Sequence, residues 1–315
     1  MPEFRTRILK SNKIFIIGVG GDSGSGKTTM TEAIKKIIGE DLVSSFSMDD
    51  YHRYNREERK RRRITPLHPK ANKLKLLAEH LSLLKKGKKI MKPVYNHKNG
   101  EFDSTVEFKP SPVIIVEGLL PFYIEELRKM IDFKVFVDPA REVKWRWKIR
   151  RDVKKRGYKE KEVIKEIRKR EPDYKQYIDF QKIYAEMVIK IRPTKFQEQL
   201  GNEMYSVRVI QRELKLKETD RILLRFDLRS MMTLHEQPFA IEFFGGWYFN
   251  KKVGIITMDG LLHRRVFQSL TDEIADFTGI GHDIIIGSGT ERINAIDFGK
   301  LVLCWYFLEK TSFNL

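Results

Sequence analysis

The stretch IFIIGVGGDSGSGKTTMTEAIKKII, residues 14–38, constrains this chain more than any other. An apolar run gives way to glycines and small polar residues, and these to an amphipathic helical pattern. Gly21-Asp22-Ser23-Gly24-Ser25-Gly26-Lys27-Thr28 satisfies G-x-x-x-x-G-K-[ST] and stands between a strand and a helix, as that phosphate-binding loop (P-loop) requires. Glycines let backbone N–H groups curl around phosphate oxygens, and the helix N-terminus adds partial positive charge. Gly21 through Thr29 are therefore expected to bind ATP, with Lys27 reaching the β- and γ-phosphates and Thr28 offering its hydroxyl to Mg²⁺.

Short apolar runs alternate with helical patterns through the first two-thirds of the chain. Ile14–Val19, Leu42–Met48, Val113–Val116, Phe133–Val137 and Val188–Ile191 read as strands of a parallel sheet buried on both faces. Between them, residues 71–87 place Leu74, Leu77, Ala78, Leu81 and Leu84 at helical spacing and end in Gly87. Residues 90–108 read as an inserted hairpin with Asn99-Gly100 at its turn, whose tip can reach over a site. After Ile191 the periodicity lapses; YSVRVIQREL, RILLRFDLR, AIEFFGGWYFN and KVGIITMDG then look β-rich, and helical patterns over about 261–277 and 291–309 close the chain. The expected fold is α/β, a P-loop NTPase-type, mostly parallel sheet flanked by helices, with a β-rich C-terminal extension. A boundary near residue 200 gives a P-loop domain over 1–200 and a C-terminal region over 201–315.

A net charge of +18 over 315 residues calls for acidic partners, which include nucleic acid, anionic lipid and small polyanions. The single cysteine, Cys304, excludes an intrachain disulfide and suits a reducing cytoplasm. No run approaches the ~20 apolar residues that cross a bilayer, and Ile14–Val19 is too short for a signal sequence despite the preceding Arg5, Arg7 and Lys10. A cytoplasmic protein without membrane partners is expected.

Three carboxylates follow apolar strands: Asp49 and Asp50 in SMDDYH, and Glu117 in VIIVEG. At the carboxyl ends of strands, where α/β sheets bind ligands, an acid of the first pair can accept a hydroxyl proton or hold magnesium, and Glu117 can complete the metal shell. Arg141 to Lys175 contains 16 Lys and Arg against 7 Asp and Glu. This density fits a solvated face, a lid whose arginines neutralise a transferring phosphoryl group, or a nucleic-acid surface. His68, His80, His235, His263 and His282 show no ligand spacing and read as structural, and IIIGSGTER near Gly287 lacks the full dinucleotide-loop pattern.

Taken in order, GDSGSGKTT, SMDDYHRYNREER, LHPKAN, KPVYNHKNG, VEGLLP, WKIRRDVKKRGY and REPDYKQYID resemble the phosphoribulokinases, of the uridine kinase-like branch of P-loop kinases. VRVIQRE and VGIITMDGLLHRR extend the resemblance into the second region. It implies transfer of the ATP γ-phosphoryl to the 1-hydroxyl of ribulose 5-phosphate with Mg²⁺, by a homodimer and with no nucleic-acid partner. It implies catalytic roles for Lys27 and for Asp49 as base, Glu117 with Thr28 on the metal, His52, Arg56, Tyr95 and His97 on the sugar phosphate, and Arg151 and Arg156 as lid arginines. The chloroplast members carry regulatory cysteines where this chain has Ser25 and Ser47, so a thiol switch at these positions is excluded. A nucleoside kinase of the same branch and a nucleic-acid-dependent P-loop ATPase are the alternatives.

Overall fold

Six consecutive residues without a polar side chain, Phe15–Gly20, form β1, and all six are buried. Burial on both faces is what a parallel sheet demands of its inner strands. The structure is a computed structural model that describes residues 3–213, 224–234, 236–281, 285 and 291–314, apart from the side chains of 155, 156 and 312–314. The chain separates into two compact units, one of Ile14–Thr28 and Leu42–Glu186, the other of Met1–Lys13, Thr29–Asp41 and Met187–Leu315. α1 (Glu3–Lys10) belongs to the second, and α2 (Lys27–Ile38) starts in the first and continues in the second.

In the first unit, β1 is joined by β2 (Val43–Ser47), β3 (Ile90–Tyr95), β4 (Phe102–Phe108), β5 (Val113–Gly118) and β6 (Phe133–Pro139). Strands β6, β1, β5 and β2 lie side by side in that order, all parallel. The register pairs Gly20 with Gly118 and Ser47 with Glu117, so the P-loop, the Asp49 turn and Glu117 leave the sheet along one carboxyl edge. That edge is where such sheets bind ligands. β3 and β4 form the expected hairpin, closed by the Tyr95–Phe102 pair, with Gly100 at φ +83° in its tip.

Helices cover this unit as their apolar stripes direct. α3 (Arg56–Arg61) begins with a capping box between Asn55 and Glu58. α4 (Leu74–Lys85) buries Leu74, Leu77, Ala78, Leu81 and Leu84, the stripe expected from spacing, and packs on α5 (Glu125–Met130). α6 (Arg141–Arg156) stops at Gly157, whose φ of 71° suits a left-handed cap, and packs on α7 (Glu160–Asp173). Pro172 in the last turn of α7 is followed by a π turn over Tyr174–Ile178.

The second unit contains β7 (Met187–Pro193), α8 (Gln197–Leu200), β8 (Tyr205–Arg212), α9 (Leu228–Thr233), β9 (Phe239–Tyr248), β10 (Lys251–His263), α10 (Gln268–Thr278), β11 (Arg292–Asn294) and α11 (Ala295–Asn314). Its pairings are antiparallel: β7 with β8, β8 with β10, and β10 with β9 and with β11. α11 lies on β8 and β10, and Phe4 of α1 packs against Phe277 and Phe307 at ring-centre distances of 5.8 and 6.3 Å. The TMDG stretch is structural here. Asp259 accepts the Thr194 hydroxyl at 2.5 Å and the Lys195 N–H at 3.1 Å, while a Cβ at Gly260 would stand 2.0 Å from the Pro238 carbonyl oxygen.

Three expectations need correction. The RILLRFDLR segment is not strand over Leu228 and Arg229; they open α9, because the Asp227 side chain caps the Ser230 N–H. The helix expected from about 261 begins at Gln268, since residues 261–263 finish β10 and Arg264–Phe267 make a 3₁₀ turn. The pattern from 291 opens as β11 before α11 starts at Ala295. His235, His282 and the loop near Gly287 lie outside the described residues.

Candidate active site

The P-loop takes its shape from backbone angles that side chains resist: Gly24 and Gly26 have φ of +81° and +93°. A Cβ at Gly24 would come within 3.0 Å of Lys148 Cβ, and one at Gly26 within 3.2 Å of the Trp147 ring, so α6 lies directly against the loop. Lys27 Nζ donates to the Asp22 carbonyl at 2.7 Å, and Arg151 Nη2 to Ser23 Oγ at 3.0 Å. Burial lowers the Lys27 ammonium from its ordinary value, with Glu117, Asp49 and Asp22 opposing the shift. Ser25 Oγ is buried and finds no partner among the described residues, an orphaned polar atom inside the cradle. Thr29 follows in α2 and is exposed.

Thr28 Oγ1 donates to Glu117 Oε1 at 3.1 Å. A hydroxyl and a carboxylate at the loop's end are hard oxygen donors suited to Mg²⁺, which commonly takes one or two protein ligands and fills its shell with phosphate and water. No group of three or more His, Cys, Asp or Glu able to hold a metal occurs among the described residues.

Asp49 and Asp50 share a 3₁₀ turn, Met48–Tyr51, and have different surroundings. Asp50 accepts the Tyr95 N–H at 2.9 Å and pairs with Lys92, so it fastens the turn to the hairpin. Asp49 faces the open site, with His97 Nε2 at 3.4 Å and His52 Nε2 at 3.8 Å. Burial alone would raise its pKa, but His52, His97, Lys27 and Arg170 outweigh it and hold the carboxyl below the ordinary value. Ser47, one of the two positions at which a thiol switch is excluded, accepts the Asp49 N–H at 3.2 Å.

His52 is 3% exposed, and burial lowers its pKa against the pull of Asp49. Its Nδ1 lies 2.8 Å from Asn72 Oδ1, while the Asn72 amide donates to the carbonyls of Pro66 and His68 at 3.0 Å each. That network makes Nδ1 the donor to Asn72 and turns Nε2 toward Asp49, which it meets as an N–H only when the ring is charged. Tyr95 supports both imidazoles edge-on, at 5.0 Å from His52 and 5.1 Å from His97, and its hydroxyl accepts from Arg59 at 2.6 Å. Arg56 donates to the His97 carbonyl at 2.6 Å and the Lys98 carbonyl at 3.5 Å, so part of its guanidinium holds the hairpin tip.

The structure thus gathers Lys27, Thr28, Asp49, His52, Tyr95, His97, Glu117 and Arg151 at one edge, with Arg56 behind His97; the Arg156 side chain lies outside the described residues. Sequence reasoning missed Lys144, Lys148 and Arg170, which it left undivided in the basic segment. Positions 144, 148 and 151 recur at helical spacing, and that was the available signal. Lys148 pairs with Asp152 at 2.9 Å; burial first, then Arg170, push its ammonium down to about 8. Of the histidines read as structural, His80 bonds the Tyr51 hydroxyl at 2.8 Å, while His68 and His263 accept N–H groups in turns.

The Phosphoribulokinase / Uridine kinase family profile matches residues 16–197, more than half of the chain. The chain belongs to that family. A phosphoribulokinase from the cyanobacterium Synechocystis is 40% identical over 202 residues, covering 64% of this chain and 61% of its own. The chloroplastic phosphoribulokinase of Mesembryanthemum crystallinum is 32% identical over 286 residues, covering 82% and 72%. A uridine kinase from Borrelia turicatae is 36% identical over 179 residues, covering 55% and 85%. Among solved structures, the Rhodobacter spheroides phosphoribulokinase matches with a TM-score of 0.54 at 19% identity, covering 78% of this chain and 90% of that one, which shows the shared P-loop kinase fold. The family match ends at residue 197, whereas the chloroplastic relative matches well beyond it.

Proposed function

We propose that the chain is a phosphoribulokinase, moving the ATP γ-phosphoryl to the 1-hydroxyl of ribulose 5-phosphate. The observation that carries this reading is the pair of imidazoles at 3.4 and 3.8 Å from Asp49, on the same edge as the P-loop, in a chain whose relatives carry that name over 82% of its length. An acceptor that already bears a phosphate needs a cation beyond the base, a place that Arg56 behind His97 fills, and a nucleoside does not.

In this reading Asp49 Oδ accepts the proton of the sugar hydroxyl as its oxygen bonds to the γ-phosphorus, and the bond to the β-γ bridging oxygen breaks to release ADP. A carboxylate of depressed pKa is a weak base. It suffices because phosphoryl transfer is loose and the hydroxyl proton leaves late, so position matters more than basicity. His52 Nε2, aimed at the same region, meets a second sugar hydroxyl and orients the acceptor. His97, Arg56 and Tyr95 hold the sugar-phosphate end. Lys27, Arg151 and Arg156 stabilise the transferring group, and the loop from Gly21 to Thr29 binds the nucleotide. Thr28 and Glu117 would hold Mg²⁺, which when bound neutralises charge on the β- and γ-oxygens.

We keep residues 1–200 as the kinase domain and 201–315 as a C-terminal region, a functional division that differs from the two compact units, in which Met1–Lys13, Thr29–Asp41 and the residues from Met187 belong together. No described helix is long and apolar enough to cross a membrane; the single cysteine, which suits a reducing compartment, is our ground for placing the enzyme in the cytoplasm. A homodimer is drawn through β9, which pairs with β10 alone among the described strands and leaves Phe243 and Trp247 70% and 69% exposed. ³¹P NMR of a reaction with Mg·ATP tests the activity: two phosphate monoesters on the product sugar support it, and an unchanged sugar monophosphate refutes it.

A further inference from the structure

Lys144 of α6 is 5% exposed, a depth at which a lysine is rare unless paired. Its Nζ lies 2.8 Å from Asp22 Oδ2 and 3.5 Å from the centre of the Tyr174 ring. Asp22 is itself at the heart of the P-loop: its carbonyl receives Lys27 Nζ at 2.7 Å and its Oδ1 the Ser23 N–H at 2.7 Å. Behind them, the Tyr174 hydroxyl donates to Asp179 at 3.2 Å, and Lys182 bridges Asp179 and Asp138 at 2.6 and 3.4 Å. A continuous run of contacts therefore leads from the end of β6, through the π turn, to the loop.

Nothing in the P-loop pattern asks for a carboxylate at Asp22, since the phosphate cradle is made of backbone N–H groups. A half-buried carboxylate beside a triphosphate is a liability: like charges at short range in a low-dielectric site cost binding energy. Lys144 cancels that charge. It also ties α6 to the loop at the helix position that precedes Lys148 and Arg151 by one and two turns, and those residues approach Gly24 and Ser23.

We infer that Lys144 is a positioning residue for the nucleotide, acting through Asp22 to neutralise and fix the P-loop and to dock α6 over it. The inference rests on the kinase reading only for the presence of a nucleotide, not for the acceptor. The test is titration of the full chain with a fluorescent ADP analogue, with acceptor kinetics alongside. Lys144→Met should weaken nucleotide binding by roughly tenfold or more, because it leaves the Asp22 charge uncompensated, and should change the acceptor KM by less than about twofold. Adding Asp22→Asn should bring nucleotide affinity back to within about threefold of wild type, since the offending charge is then gone. A merely structural lysine would lower thermal stability and damage the acceptor KM together with nucleotide affinity, whereas a positioning lysine leaves the acceptor KM unmoved. Should Lys144→Met fail to fold, the double variant and Lys144→Arg, which keeps the charge, must both fold and bind nucleotide nearly normally. Unaltered affinity in Lys144→Met, or a double variant no better than the single one, overturns the inference. Wild-type protein that binds nucleotide but ignores ribulose 5-phosphate would overturn the proposed function and leave this one standing.

Discussion

His97 Nε2 lies 3.4 Å from Asp49 Oδ2, although the two come from a hairpin tip and a 3₁₀ turn nearly fifty residues apart in the chain. The contact exists because Asp50, the neighbouring acid, clamps the hairpin through Lys92 and the Tyr95 N–H. Two adjacent aspartates thus divide the work, one holding the hairpin and the other facing the acceptor.

Asp49→Asn keeps the shape of the side chain and removes its proton acceptor. We expect kcat to fall by roughly 10²–10⁴ while the KM for ATP changes little. Asp50→Asn should instead raise the KM for the acceptor and lower thermal stability, because Lys92 loses its partner. Near-native turnover in the Asp49 variant would make Asp50 the candidate base; steady-state kinetics of both variants decides.

Arg56→Ala frees the hairpin tip as well as removing a cation. It should lower kcat/KM for ribulose 5-phosphate by roughly 30-fold or more if the bound phosphate buries the Arg56 guanidinium, the lower end of the cost of removing one partner of such a pair, with the KM for ATP moving less than about threefold. His97→Ala should act in the same direction but more weakly, since it removes a single ring nitrogen rather than the forked donors of a guanidinium. Equal damage to ATP and acceptor would assign both residues to the nucleotide or the fold.

The Lys148 ammonium, pushed down to about 8 by burial and by Arg170, is charged below that pH and neutral above it. If its charge serves the phosphates, kcat/KM for ATP, which reports the free enzyme, should fall as pH rises through about 8. Lys148→Arg should remove that alkaline limb, because a guanidinium stays protonated. A pH–rate profile that is the same in both proteins contradicts the assignment.

Much of this was legible in the sequence. The P-loop stood out because its glycines interrupt a strand-to-helix transition, and α4 because five apolar residues recur at helical spacing. The convergence at Asp49 was only partly legible: Asn99-Gly100 marked the hairpin, but the clamp that aims it runs from Lys92 to Asp50 across 42 residues, a pairing no local pattern announces. The same holds for Asn72, whose hydrogen bond fixes the tautomer of His52 from 20 residues away. Leu228 was misread because hydrophobicity suggested a strand, whereas the Asp227 cap decided for a helix.

Cys304 is 1% exposed, and burial pushes its thiol up, so it is a packed apolar residue. With Ser25 and Ser47 at the other two positions, oxidised and reduced preparations should have the same specific activity. A several-fold activation by dithiothreitol would place Cys304 in an intermolecular bridge.

If β9 joins two copies, Phe243→Lys combined with Trp247→Glu should convert dimer to monomer in sedimentation velocity. An unchanged sedimentation coefficient would move the interface elsewhere.

The central claim is that this site transfers phosphoryl to a sugar phosphate. A coupled ADP-release assay with Mg·ATP, offering ribulose 5-phosphate, uridine and single-stranded RNA separately, tests it most directly. The account predicts rapid ADP release with ribulose 5-phosphate and background rates with the other two. Release as fast with uridine as with ribulose 5-phosphate would contradict it, as would release stimulated by RNA alone.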